Sequence, residues 1–546
     1  MRAQFGRVRP QHFVLACILA GSAVLNTQRL AQNGYANTFY SAGVKSMLGS
    51  WHNFLFASFD PGGLVTIDKP PLGVWMQAGS ASLFGLSPLS LLLPEAIVST
   101  IAVAALYCVL ARRIGAGAGL AGALTLAVFP SFVAVSRDNG VDPLLILLMI
   151  LACGAALRAI EGGSWRWLLT SAVLVALAFN TKTLAAWLIL PGMALAYLLC
   201  APGSWLRRGG MLLVAGLVMA IGSFSWIAVV ELTSASQRPF VGSSTDNTEL
   251  GLTFSYNGFG RVEGEAGGPG NVPRAEGARL PKTHVRVGHP RSAHSRPERA
   301  SHGRLLPPRA ATTPARTRRT PTVGLLSPVL PDGRLRNPIT FGGATGPMRL
   351  FESRLSDQGA WMLPFALVGL LAFGLLALAG ERTRRDPRLA TLIVLGGWML
   401  AEAAILSFSN GIVHPYYISA LAPGVAAMVG AGALAFTRFA QWRDWRVVLL
   451  VVAVLTTIVA QREILEYQHY MQWFLPVLGG GALVGLAAMA VRRLAAPAMA
   501  LLLCLLLVAP AAYASTTWLA RVQGTFPAAG PHQATGSGEF GVNERS

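Results

Sequence analysis

Charge is scarce in this chain. Only 12% of its 546 residues are Asp, Glu, Lys or Arg, about half of the roughly 25% that soluble proteins carry. Lysine is scarcer still, with four residues (Lys45, Lys69, Lys182, Lys282) among 44 basic side chains, a bias that fits a GC-rich genome. The five cysteines (Cys17, Cys108, Cys153, Cys200, Cys504) are scattered through apolar runs without CxxC spacing. That excludes a disulfide framework and a thiolate metal site, and leaves them as small core residues. A soluble domain with its own core is also missing, as is any internal repeat.

Apolar residues fill the space, at 53% of the chain. Runs of spanning length fall near 11–30, 90–111, 116–136, 141–160, 166–180, 184–201, 210–231, 361–380, 388–408, 416–436, 446–460, 473–491 and 496–516. The expectation is an all-α integral membrane protein, a polytopic helical bundle of about thirteen transmembrane helices. Arg2, Arg7 and Arg9 precede the first run as in a signal peptide, but no convincing cleavage site follows, so it is read as a retained helix. If the N-terminus is cytoplasmic, six alternate loops should be basic, and Arg112-Arg113, Arg158 with Arg166, Arg207-Arg208, 382–388, 438–446 and Arg492-Arg493 all are. The opposite loops then face outward.

Four units are expected: an N-terminal transmembrane module (1–231) with a first outer loop (31–89), a long outer loop (232–360), a C-terminal transmembrane module (361–520), and a disordered tail (521–546). Within the long loop, 273–338 holds fourteen Lys/Arg against three acids, a net of +11 of the chain's +20. Its Pro/Arg/His-rich composition predicts a disordered linker, which makes the high isoelectric point poor evidence for nucleic-acid binding. GC-rich glycine codons read one base out of register encode alanine and arginine, so a compensated frameshift in a Gly-rich tract would give such a stretch.

The most informative segment is 50–75, SWHNFLFASFDPGGLVTIDKPPLGVW. Asp60, Asp68 and Lys69 sit among Pro-Gly-Gly and Pro-Pro breaks between long apolar runs, so the segment lies at or outside the lipid surface. Three other outward clusters carry chemistry: Arg137-Asp138-Asn139 with Asp142-Pro143, Asn180-Thr181-Lys182, and His414-Pro415-Tyr416-Tyr417. An acceptor hydroxyl needs a carboxylate to take its proton, and Asp60, Asp68, Asp138 and Asp142 are candidates. A departing phosphate needs cations, and Lys69, Arg137 and Lys182 qualify, with His414 as an orienting group. Each carboxylate could equally be a helix cap or loop ion pair; Asp142-Pro143 suits a helix start. One histidine without a second ligand is no metal site, although room remains for a divalent metal.

With Asn37-Thr38-Phe39-Tyr40 and Arg238-Pro239-Phe240-Val241-Gly242, these clusters resemble the bacterial GT-C membrane glycosyltransferases related to dolichyl-phosphate-mannose protein mannosyltransferases and to the lipid A aminoarabinose transferase. The nearest likeness is to the mannosyltransferase branch, over residues 20–260 and 340–530, and DKPPLGVW after SFDPGG is its most specific part. The resemblance implies a GT-C helical bundle in the bacterial inner membrane with an extracytoplasmic site. It implies transfer of a mannose-like hexose or aminoarabinose-like pentose from a polyprenyl-phosphate carrier to a protein, lipid or glycan acceptor, with inversion. No cofactor beyond that donor and no nucleic acid is expected. Relatives commonly open the first outer loop with an acidic base, often Asp-Glu, where this chain has Asn37. Asn37, Tyr40, Tyr416 and Tyr417 are then candidates for donor or acceptor contact. The competing classes are a multi-pass transporter and a lipid-polymer ligase or flippase component.

Overall fold

A computed structural model describes residues 10–263, 272–273, 334–335, 342–353, 355–379, 386–411 and 413–531. Among these, eleven helical stretches are long and apolar enough to cross a membrane, and one bent pair makes a twelfth. The bent pair, Ala116–Ala127 and Pro130–Ser136, turns by 63° where Pro130 removes a backbone donor. The expected thirteen is therefore not confirmed by length and composition. The difference lies at 166–180 and 184–201, which join in one stretch, Trp165–Cys200. Thr183 breaks the helical backbone inside that stretch with φ +43°. Gly163 before it lies against Pro202 beyond it, so the stretch folds back on itself.

The N-terminal half is built from α1 (Pro10–Thr27), α2 (Thr38–Met47), α3 (Leu72–Phe84), α4 (Pro88–Ile114), α5 (Ala116–Ala127), α6 (Pro130–Ser136), α7 (Asp142–Gly162), α8 (Trp165–Lys182), α9 (Leu190–Cys200) and α10 (Trp205–Leu232). The C-terminal half contains α11 (Leu363–Ala379), α12 (Gly397–Phe408), α13 (Ala422–Trp442), α14 (Val448–Tyr467), α15 (Leu475–Met489) and α16 (Ala495–Ser515). Helix α13 is the hub. It is the most enclosed span along with α7, and it packs on α5, α11 and α12. Its small residues let backbones meet, since Gly430 abuts Ala118 of α5 and Gly432 abuts Gly369 of α11. By contrast, α10 and α15 leave most of their surface outward, as lipid-facing helices must.

Two features place the charged loop. Gly73, in the first turn of α3, has no room for a side chain, because a Cβ would come 2.5 Å from Val141. The close approach lets α3 begin directly against the loop before α7. Downstream, Val65 pairs with Phe240 in an isolated parallel bridge, and the Gly242 N–H donates to Thr66 Oγ1, tying the 50–75 segment to 238–242. The basic stretch 273–338 lies outside the described residues, apart from the pairing of 272–273 with 334–335. The tail departs from expectation. Through Pro531 it is not a frayed end but a strap fastened by buried hydrogen bonds, while 532–546 fall outside the described residues.

Candidate active site

The four clusters meet around one cavity of about 360 Å³. Asp68, Lys69, Asp138, Asp142, Lys182, His414, Tyr416, Tyr417, Asn37 and Tyr40 all line it. Proline 70 and proline 71 end the charged loop and open α3, which leaves Asp68 and Lys69 at the cavity wall. The Lys69 ammonium donates to Asp68 Oδ2 at 2.7 Å and to Asn257 Oδ1 at 2.8 Å, and the Tyr40 hydroxyl donates to Asp68 Oδ1 at 3.1 Å. Burial works to raise the Asp68 pKa, but the Lys69 charge and these hydrogen bonds outweigh it and hold the carboxyl below its ordinary value. Asp68 is therefore an ionised partner of Lys69. Tyr40 is pushed well up by burial and by that carboxylate, so it stays a donor.

Across the cavity the Lys182 ammonium sits 2.6 Å from Asp142 Oδ1 and 5.0 Å from the centre of the Tyr417 ring, a cation–π distance. This pair joins the end of α8 to the start of α7. Asp138 differs from both other carboxylates. It is buried, its Oδ2 accepts the Gly140 N–H at 2.9 Å, and no lysine or arginine side chain is paired with it among the described residues. Burial raises its pKa well above the ordinary carboxylate value, although the backbone N–H groups of Asn139 and Gly140, and that of Asn37 across the cavity, pull the other way.

His414 stacks on Tyr416, with ring centroids 5.6 Å apart and 10° between planes, and meets Phe526 at 4.3 Å. Burial first, then the nearby Arg261, Lys182 and Lys69 charges, lower its pKa to about 3. Its imidazole is neutral, so its capacity toward a phosphate is to donate an N–H rather than charge.

Two expected residues are not cavity groups. Asp60 accepts the Leu64 and Val65 N–H groups through Oδ2, at 3.0 and 2.9 Å, and so braces the Pro-Gly-Gly turn. Arg137 is turned into the protein, wholly buried. Its guanidinium donates to the carbonyls of Leu25 (2.9 Å), Gln28 (2.8 Å) and Thr517 (3.3 Å). Burial lowers its pKa to about 10. Its place near the clusters is real, but its bonds staple the ends of α1 and α16. Asn37 lines the cavity while capping α2, its side chain accepting the Phe39 and Tyr40 N–H groups.

Sequence reasoning missed Tyr256, Arg261, Asn257 and the strap at 524–527. Arg261 lines the cavity and lies 4.3 Å from the centre of the Tyr256 ring. The aromatic run before it (Phe254, Tyr256, Phe259) was the available signal. Alongside the cavity runs a mostly apolar groove of about 260 Å³, walled by Leu145, Leu184, Leu188, Phe259, Val262, Ile405 and Leu406. Groove and cavity share Lys69, Asp142, Lys182, Arg261 and Tyr417. All five cysteines are free, and no three His, Cys, Asp or Glu side chains converge among the described residues.

Known proteins match this architecture. Residues 68–227 match the family model described as "Dolichyl-phosphate-mannose-protein mannosyltransferase". Two proteins of Bacillus subtilis (strain 168) are similar over nearly the whole chain. "Putative mannosyltransferase YycA" is 35% identical over 96% of this chain and 79% of its own length, and "Putative mannosyltransferase YkcB" is 33% identical over 97% and 78%. The crystal structure of ArnT from Cupriavidus metallidurans bound to undecaprenyl phosphate shares the fold, with a TM-score of 0.52 and 16% identity over 93% of this chain and 77% of that one. The chain is thus a multi-pass membrane protein of GT-C fold and belongs to the family of mannosyltransferase-like glycosyltransferases that includes YycA and YkcB.

Proposed function

We propose that the protein transfers a sugar, a mannose-like hexose or an aminoarabinose-like pentose, from a polyprenyl-phosphate carrier to an envelope acceptor on the outer face of the inner membrane. The observation that carries this reading is the junction of groove and cavity. The groove offers apolar walls for a prenyl chain, the cavity offers polar walls for a sugar, and Lys69, Lys182 and Arg261 belong to both. A phosphate bridging chain and sugar belongs at that junction. The carrier named for the ArnT structure, undecaprenyl phosphate, has this chemistry. The six basic loops on the opposite side support an extracytoplasmic site, and both transmembrane modules contribute residues to it.

The reaction is a single displacement. Asp138 accepts the proton of the acceptor hydroxyl as its oxygen bonds to the anomeric carbon. The bond from that carbon to the phosphate oxygen breaks, its electron pair leaves with the carrier phosphate, and configuration inverts. Asp138 is the choice because Asp68 and Asp142 are each held by a lysine, whereas burial makes Asp138 the more basic carboxylate. The three cations stabilise the charge growing on the phosphate. Tyr40, Asn37, Tyr416 and Tyr417 supply the polar and aromatic lining for sugar and acceptor.

The test is to incubate purified protein with radiolabelled undecaprenyl-phosphate mannose, and separately with the aminoarabinose donor, and to measure release of undecaprenyl phosphate. Turnover of either that Lys69→Ala removes would support the reading. No turnover of either would refute it.

A further inference from the structure

The strap at 519–531 has no place in the chemistry just described, yet it closes one side of the cavity. Gly524, Thr525, Phe526 and Pro527 line the cavity, and no strap residue lines the apolar groove. The strap therefore stands at the end remote from the prenyl chain. Its position is fixed at both ends. The Val522 N–H donates to Asn33 Oδ1, and Ala529 exchanges two hydrogen bonds with the Gln358 side chain, its N–H donating at 3.0 Å and its carbonyl accepting at 2.8 Å. The Gly530 N–H donates to Thr516 Oγ1 at 2.8 Å. Between these anchors Gly524 presses on the first loop, where a Cβ would come 2.0 Å from the Ala36 carbonyl carbon. The chain beside Asn37 and the strap thus meet at the lip of the cavity.

We infer that the strap is the acceptor-side wall of the site and that Phe526 is a specificity-determining, positioning residue, which holds the His414 ring and keeps water from the anomeric carbon. The inference rests on the proposed transferase reading. The imidazole contacts both the Tyr416 and the Phe526 rings, and aromatic contacts of this kind fix ring orientation. Two fates compete for the sugar. In transfer an acceptor hydroxyl gives its oxygen to the anomeric carbon and its proton to Asp138; in hydrolysis water does both. Excluding water while admitting a hydroxyl-bearing acceptor requires a wall on this side of the cavity, as the groove side is filled by the carrier.

Full-length Phe526→Ala, Phe526→Tyr and a chain ending at Arg521 are compared with the unaltered protein, using radiolabelled undecaprenyl-phosphate mannose. The label is sorted into free sugar and sugar joined to envelope membranes of the source cell. The expected result is a transfer-to-hydrolysis ratio lowered roughly tenfold in Phe526→Ala and in the shortened chain, with donor KM unchanged and the ratio restored by Phe526→Tyr. An unchanged ratio, or an equal fall in both products, would overturn the inference. A second measurement is independent of the donor. Val135→Cys, on the buried wall of the cavity, is reacted with a hydrophilic maleimide in a chain whose five native cysteines are replaced by alanine, and labelling should quicken about tenfold when Phe526→Ala is added. Equal rates overturn the wall even if no donor is consumed by any form, an outcome that would instead count against the transferase reading. Should Phe526→Ala fail to fold, Phe526→Leu keeps the apolar volume and removes the ring.

Discussion

Both faces of the bundle bury cations, and they use them differently. On the face away from the site, Arg113 lies 2.6 Å from Glu161 and spends its other bonds on the carbonyls of Val109 and Gly154. Arg208 likewise serves the Leu198 carbonyl. Each of these cations closes a local helix end. On the site face Lys69–Asp68 is a pair of neighbours in the first loop and Lys182–Asp142 joins α8 to α7, yet both border the same void. Buried pairs are weak evidence of function by themselves. Convergence on a cavity is what separates the two faces.

The largest effect that sharpens this contrast comes from removing the Lys69–Asp68 pair as a unit. Asp68→Asn with Lys69→Ala leaves no unpaired buried charge, so the protein should fold while sugar transfer falls by about a thousandfold. Glu161→Gln with Arg113→Gln on the other face should leave turnover near that of the unaltered protein. Comparable losses from both would erase the distinction. Next comes Asp138. Because burial raises its pKa, it must lose its proton to act, and activity should fade as pH drops through that raised value. The acid limb of kcat/KM then lies above the ordinary carboxylate range, and Asp138→Asn should cost on the order of a hundredfold and flatten it. A limb unchanged in Asp138→Asn would assign the base elsewhere.

Smaller effects test the residues that left the site. Arg137→Ala strands three buried carbonyls and should cost on the order of 3 kcal/mol, read as a lower melting temperature in detergent with activity per folded molecule preserved. Lost turnover at an unchanged melting temperature would return Arg137 to the cavity. Asp60→Asn weakens two hydrogen bonds in an exposed turn and should cost about 1 kcal/mol with little change in rate.

The broad architecture was legible because lipid leaves the backbone few options, so long apolar runs and alternating basic loops translate directly into helices and their order. The cavity was legible for a related reason. Lys69, Asp142, Lys182 and His414 are expensive near hydrocarbon, and their presence on one face needed an explanation. Arg137 misled because an arginine beside an aspartate reads as a free cation. Only the fold brings the carbonyls of Leu25 and Thr517 around it. The strap was unreadable for the opposite reason. Gly524, Pro527 and Gly530 carry no periodicity, and its anchors are single side chains, Asn33 and Gln358, far away in the chain. The two runs read at 166–180 and 184–201 form one apolar stretch, Trp165–Cys200, which reverses at Thr183, so the expected count of thirteen is not confirmed by length and composition.

Arg137 also has a consequence for how the molecule is made. Two of its acceptors, at Leu25 and Gln28, precede it in the chain, but the third, at Thr517, is translated 380 residues later. Until α16 has entered the bilayer, that guanidinium has only part of its shell, and α6 beside it lacks the helix it packs against on that side. An insertion intermediate would carry a half-satisfied cation close to lipid, the kind of feature on which membrane quality control acts. Ribosome stalling before residue 517 should therefore yield a species that is sensitive to membrane proteases, and release of α16 should end that sensitivity in one step.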